Sequence, residues 1–225
     1  MAISKAQFQE KKDLIRKNLL KYTRKAFRLL PELEKPRILD VGCGSGIPTI
    51  ELASLSDGEI IGMDIDQTLL NTLLRKAEQA GVSDRVRAVK CSISDTEFPA
   101  ESFDIIWAEG SIHAVGFKRG LQEWKRLVKP GGFMAIHDEQ GNLQEKLELI
   151  SSCGYQLLGY FMLDENTWWN EYFSPLDKLV NEIRAECADD PEFLKAIHSD
   201  MQEIEMFKKN PEIGISVFFV IKKNK

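Results

Sequence analysis

Three glycines at alternate positions, Gly42, Gly44 and Gly46, close an apolar run that carries one acid: Ile38-Leu39-Asp40-Val41-Gly42-Cys43-Gly44-Ser45-Gly46. Ile47-Pro48-Thr49-Ile50-Glu51-Leu52-Ala53 follows, with Pro48 where a helix's first turn tolerates a missing N–H. The pattern is a buried strand, a tight turn and a helix N-terminus. Glycine allows positive φ and close approach of backbone to a ligand, while the helix end offers N–H groups to acceptor atoms. This is a cradle for a small molecule. Asp64 stands eighteen residues beyond Gly46, at the tip of a second apolar run, where one carboxylate can accept from a pair of hydroxyls. It reads otherwise as a helix N-cap, and Asp40 as a plain turn acid. Trp107-Ala108-Glu109-Gly110-Ser111-Ile112-His113 places a carboxylate and an imidazole in one loop, and a histidine suits general-base work near neutral pH. The alternative is a loop-capping histidine.

The elements that must position these residues alternate. Apolar residues recur at helical spacing from Lys5 to Leu30 (Phe8, Ile15, Leu19, Tyr22, Ala26, Leu30), and Pro31 and Pro36 mark the exit. Strands are predicted at Arg37–Val41, Glu59–Asp64, Val86–Cys91, Phe103–Ala108 and Phe133–His137. Helices are predicted at Pro48–Leu55, Gln67–Ala80, Gly120–Val128 and Leu143–Ser152, with Lys129-Pro130-Gly131-Gly132 as a turn. Five alternations argue for a doubly wound α/β sheet, mostly parallel, with helices on both faces. Tyr155–Leu163 and Gly214–Lys222 read as two more strands. The stretch between them is rich in aromatics and then helical from Pro175 to Lys208, too long for a plain connection.

Bulk properties narrow the class. The 225 residues suffice for one large domain with a substantial core. With 30 Lys+Arg against 35 Asp+Glu the net charge is −5, which disfavours nucleic acid as a partner. Cys43, Cys91, Cys153 and Cys187 are dispersed, with no C-x-x-C pair and no zinc-ligand spacing to a histidine. Reduced thiols, the absence of a signal-like N-terminus and the absence of a bilayer-length apolar run lead to the expectation of a soluble, cytoplasmic protein with no membrane association.

The turn itself discriminates among occupants. A dinucleotide turn needs G-x-G-x-x-G; the third site falls on Ile47 or Thr49, so both frames fail. A phosphate loop fails because no Gly-Lys-Ser/Thr follows. Asp40-Val41-Gly42-Cys43-Gly44-Ser45-Gly46 resembles the first motif of the class I S-adenosylmethionine-dependent methyltransferases. The likeness continues through Gly62-Met63-Asp64-Ile65, Phe98-Pro99, Ser102-Phe103-Asp104-Ile105-Ile106 and Leu127-Val128-Lys129-Pro130-Gly131-Gly132-Phe133, in the family's order.

The resemblance implies a seven-stranded Rossmann-like sheet with an antiparallel last strand, and S-adenosylmethionine as cofactor. It assigns Asp40, Gly42, Cys43, Gly44 and Gly46 to the cofactor turn, Asp64 to the ribose and Ile65 to the adenine face. Asp40 would anchor the turn and the methionine ammonium. Where the family commonly has an Asp at the adenine end, Cys91-Ser92-Ile93 stands here, so Ser92 and Ile93 take that place and Asp95 is a possible substitute. Glu109 would meet either the methionine end of the cofactor or the substrate.

Methyl transfer from a sulfonium is an in-line displacement, so the protein aligns the reactants and excludes water, with a base only for a protonated nucleophile. His113 and Glu109 are the candidates for that chemistry. Tyr22, His113, Trp168, Trp169 and Tyr172 are candidate substrate contacts, the aromatics as a wall or as a cation–π surface for an amine, or else as packing. His137-Asp138-Glu139 lacks the acid–acid–Asn set of magnesium-dependent relatives, so no metal is expected. The loop after strand four also lacks Asn/Asp-Pro-Pro-Tyr and the paired acids of protein arginine methyltransferases, which favours a small-molecule acceptor at O, N or S. One domain over 1–225 is expected: a helical lid at 1–35, a cofactor-binding core at 36–160, an aromatic helical insert at 161–212 and the last strand at 213–225. Its state would be monomer or homodimer. Rival readings are a non-catalytic cofactor-binding or scaffold protein and a nicotinamide-dependent oxidoreductase.

Overall fold

The computed structural model describes residues 3–94, 96–186 and 191–224. The expected positions Asp95 and Cys187 lie outside them. The chain divides into two compact units, one of Leu20–Met162 with Ser216–Lys225 and one of Met1–Leu19 with Leu163–Ile215.

The first unit is a seven-stranded sheet in the order β3-β2-β1-β4-β5-β7-β6. Its strands are β1 (Arg37–Val41), β2 (Glu59–Asp64), β3 (Val86–Lys90), β4 (Phe103–Glu109), β5 (Val128–Glu139), β6 (Tyr155–Leu163) and β7 (Ser216–Lys223). β1 pairs in parallel with β2 and with β4, and β7 runs antiparallel to β5. Central strands covered on both faces are nearly all apolar, as Arg37-Ile38-Leu39-Asp40-Val41 is after its first residue. The chain winds one way from β1 to β3 and the other way from β4 onward. The carboxyl ends of β1 and β4 therefore flank the topological switch point, where ligands of such sheets bind.

The helices of this unit are α2 (Leu20–Phe27), α3 (Ile47–Leu55), α4 (Gln67–Gln79), α5 (Phe117–Trp124) and α6 (Leu143–Ser152). Four predicted elements move by more than two residues or divide. β5 begins at Val128 and takes in the Lys129–Gly132 turn, because its register against β4 slips between Phe103 and Ile105. α5 lies earlier than expected and ends at Trp124, whose indole is buried with Leu121 in the main core. The N-terminal helix breaks: α1 (Lys5–Arg16) is followed by a tight turn at Lys17–Leu19 and then α2. The helical stretch from Pro175 is two helices, α8 (Ser174–Glu186) and α9 (Pro191–Lys209), preceded by α7 (Glu165–Trp168) and a π turn at Trp169–Phe173.

The second unit holds α1 and α7–α9 around its own core, with Phe8, Phe173, Leu176, Val180, Ile197 and Phe207 buried together. A Ser4–Gln7 capping box starts α1, each side chain satisfying the other's backbone N–H. Among the described residues no helix is long and apolar enough to cross a membrane.

Candidate cofactor site at the carboxyl end of the sheet

The glycine turn forms at the end of β1, and its glycines serve different ends. Gly42 and Gly46 have φ of 70° and 83°. A Cβ on Gly42 would stand 2.6 Å from Ser111 Cβ, and one on Gly46 2.3 Å from Leu73 Cδ1, so both are needed for packing. Gly44, φ 54°, has no heavy atom within 4 Å of such a Cβ: it faces open space. The Gly42 and Cys43 N–H groups donate to the Met63 carbonyl at 2.9 and 3.0 Å. Lys76 of α4 donates to the Ser45 carbonyl at 2.9 Å. Asp40 is 1% exposed and accepts the Thr49 hydroxyl at 2.6 Å, tying the strand to the first turn of α3. Cys43 is buried in the turn, and burial first, then the charges of Asp40 and Asp64, push its thiol pKa up. It is a neutral packing group, not a nucleophile.

Asp64 ends β2 facing the turn. Its Oδ2 accepts the Gly44 N–H at 2.9 Å and its Oδ1 the Asp66 N–H at 3.0 Å, so the carboxylate is oriented by backbone. Ile65 beside it is 67% exposed, an apolar side chain left in solvent at the rim. The backbone continues this edge through the Cys91 N–H, which donates to the Asp64 carbonyl at 3.0 Å. Ser92 is exposed, with its Oγ accepting the Ser94 N–H at 3.3 Å. Trp124 Nε1 donates to the Ile93 carbonyl at 3.1 Å and fixes that loop. A cavity of about 300 Å³ opens beside it, lined by Ile93, Thr96, Trp124 and Arg126 and by none of the glycines.

The third part is the exit of β4. Trp107 is fully buried, and its indole N–H donates to Glu109 Oε2 at 3.2 Å. Thr23 of α2, also fully buried, donates its hydroxyl to the same oxygen at 2.9 Å. Arg24, next on α2, bridges Glu51 of α3 through both oxygens at 2.5 and 3.2 Å. Ser111 Oγ donates to the Val41 carbonyl at 2.5 Å, closing the loop onto the glycine turn. His113 is exposed on a short 3-10 turn, Ile112–Ala114. Tyr22 is half-buried against Phe161, ring centroids 6.5 Å apart, with Lys25 4.1 Å over the same Phe161 ring.

The chain matches the family described as "Methyltransferase domain" over residues 38–132, which take in the turn, Asp64 and the β4 exit. That match covers fewer than half of the 225 residues. Among curated proteins, a 27-O-demethylrifamycin SV methyltransferase of Amycolatopsis mediterranei is 29% identical over 143 residues, 61% of this chain and 53% of that protein. A sterol 24-C-methyltransferase of Aspergillus fumigatus is 32% identical over 106 residues, 47% of this chain and 28% of that protein. The chain thus spans about half or less of the length of these relatives. Among solved structures, an S-adenosylmethionine-dependent methyltransferase of Geobacter sulfurreducens, in complex with S-adenosylhomocysteine, has a TM-score of 0.70 at 17% identity. It covers 91% of this chain and 89% of that one. The [4+2]-cyclase SpnF has a TM-score of 0.73 at 19% identity, covering 91% and 81%. The fold is thus shared with a cyclase, and the site must decide the chemistry.

The remaining expected positions divide. His137, 5% exposed, stacks on Phe218 with centroids 4.3 Å apart and lies 2.8 Å from the Ser216 hydroxyl. Asp138 pairs with Lys146 at 2.5 Å. No cluster of three or more metal-binding side chains occurs among the described residues. Trp168, Trp169 and Tyr172 belong to the helical unit: Trp169 stacks on Phe207 at 6.2 Å, and Trp168 meets Tyr172 edge-on at 5.9 Å. Burial, with Glu203 adding to it, pushes the Tyr172 hydroxyl up to about 12, so it stays neutral. Sequence reasoning missed Thr23, Thr49, Arg24 and Leu73. Each acts across a contact between different elements, and no local pattern announces such contacts.

Proposed function

We propose that this chain binds S-adenosylmethionine at the methyltransferase domain and transfers its methyl group to a small-molecule acceptor with an O, N or S nucleophile. The observation that carries the reading is the open backbone at Gly44, its N–H already aimed at Asp64. That arrangement leaves room for a ligand beside a preset carboxylate, as a nucleoside's hydroxyls require. Bound there, the cofactor supplies an electrophilic methyl group on a sulfonium.

The chain's residues do the rest. Asp64 holds the ribose hydroxyls, and Ile65 covers the adenine face with Ser92 and Ile93 at its edge. Gly42, Cys43, Gly44 and Gly46 form the floor, and Asp40 braces it through Thr49. Glu109 lies at the methionine end. His113 is assigned as proton acceptor for a nucleophile that must lose one, and Tyr22 as an acceptor contact. Trp168, Trp169 and Tyr172 are assigned the same contact role on the strength of their half-buried rings. The net charge of −5 and the thiols of Cys43, Cys91 and Cys153 support a cytoplasmic enzyme without a nucleic-acid partner.

Titration calorimetry with S-adenosylhomocysteine tests the cofactor half. Native protein is expected to bind and Asp64→Ala to lose binding; a native protein that does not bind overturns the proposal. A second reading, a non-catalytic cofactor-binding or scaffold protein, draws on Ser92, which supplies only a neutral hydroxyl at the adenine end. Formation of S-adenosylhomocysteine with any acceptor of a metabolite pool decides between them.

A further inference from the structure

Two fully buried donors from different elements converge on one carboxylate oxygen. Thr23 Oγ1 of α2 and Trp107 Nε1 of β4 lie 2.9 and 3.2 Å from Glu109 Oε2. Hydrogen bonds to an ionised acceptor are about twice as strong as neutral ones, and two donors on one oxygen fix the plane of the carboxylate. The donor from α2 is itself held. Arg24 clamps α2 to Glu51 of α3, Phe27 packs 6.4 Å from Trp107, and Lys25 lies over Phe161.

The place of Glu109 matters. β2 and β4 are the two neighbours of β1, so Asp64 and Glu109 stand at strand tips on either side of the glycine turn, roughly 10 Å apart in strand spacings. The β4 exit is tied to the turn by Ser111, bonded to the Val41 carbonyl. A ligand lying across β1, with hydroxyls on Asp64, has its other end at Glu109. On the cofactor proposed above, that end carries a cationic α-ammonium group.

We propose that Thr23 is a positioning residue for cofactor binding: with Trp107 it fixes the Glu109 carboxylate as acceptor for the cofactor's ammonium group. The inference rests on the S-adenosylmethionine reading and goes beyond it by giving α2 a defined part in recognition.

The test is calorimetric, on the full chain, with two ligands. S-adenosylhomocysteine carries the amino-acid end; 5′-methylthioadenosine has the same nucleoside and lacks it. Thr23→Val is expected to weaken S-adenosylhomocysteine about tenfold and to change 5′-methylthioadenosine less than about twofold. Thr23→Ser, which keeps the hydroxyl, is expected to restore the native affinity. In a Glu109→Gln background Thr23→Val should add no further loss, because its effect runs through that carboxylate. Equal weakening of both ligands by Thr23→Val, additive losses in the double variant, or an unchanged S-adenosylhomocysteine affinity in Glu109→Gln each overturns the inference. If thermal melting shows that Thr23→Val does not fold, Trp107→Phe removes the other donor and carries the same comparison. A native protein that binds neither ligand overturns the cofactor reading itself, an outcome distinct from the others.

Discussion

Asp64 gives both carboxylate oxygens to backbone N–H groups, those of Gly44 and Asp66, so its orientation precedes any ligand. Its replacement should cost affinity without costing the fold. Asp64→Asn keeps the shape and halves the acceptor capacity, and it should bind S-adenosylhomocysteine at least about tenfold more weakly by calorimetry, with its melting temperature within a few degrees of native. Cys43 behaves in the opposite way. Its raised thiol pKa comes from burial and from Asp40 and Asp64, so the native thiol should escape iodoacetamide at pH 8 while Cys91 and Cys153 are labelled, as peptide mass analysis would show. The sign for stability follows. The folded pKa lies above the unfolded value, so the thiol's contribution is complete below about pH 8.5 and falls away as pH rises beyond it. Native protein should therefore lose stability between about pH 8.5 and 10 more steeply than Cys43→Ala in denaturant titrations.

The glycine turn separates packing from recognition at the scale of the element. Gly44→Ala meets no neighbour, so its stability cost is the left-handed backbone alone, about 1–2 kcal/mol, whereas its methyl group intrudes on the cradle. Binding should suffer more than melting. Gly62→Ala instead meets Leu73 Cδ2 at 2.6 Å and Cys43 Sγ at 2.9 Å, so it should destabilise by about 1–3 kcal/mol; Leu73→Ala in the same chain should restore part of that, in a double-mutant cycle by urea melts. The strands and the turn were legible in the sequence because their signals are local: a run of apolar residues, an acid, glycines two apart. β1, β2 and α6 fall on their predicted residues. β5 starts earlier because a register slip against β4 absorbs Lys129–Gly132, which sequence alone reads as a turn. Asp40 and Glu109 could be named from their places, but their partners Thr49 and Thr23 could not. Those contacts exist only once α2 and α3 are set against β1 and β4.

At the scale of the molecule, the chain leaves the sheet after β6 and returns to it at β7, which are neighbours in strand order. Everything between them builds the helical unit, with the first nineteen residues. Phe173 and Phe207 stack at 4.1 Å in that unit's core, so Phe173→Ala, losing about 3–5 kcal/mol of local packing, should raise hydrogen exchange in α8 and α9 while β1 and β4 keep their protection. The main core and the helical core have no buried residue in common among those described, and the family match ends at residue 132, before the helical stretch begins. This partition bears on descent. Substitutions that reshape the helical core touch none of the buried residues described in the strand core, so across a lineage the two cores can drift at different rates.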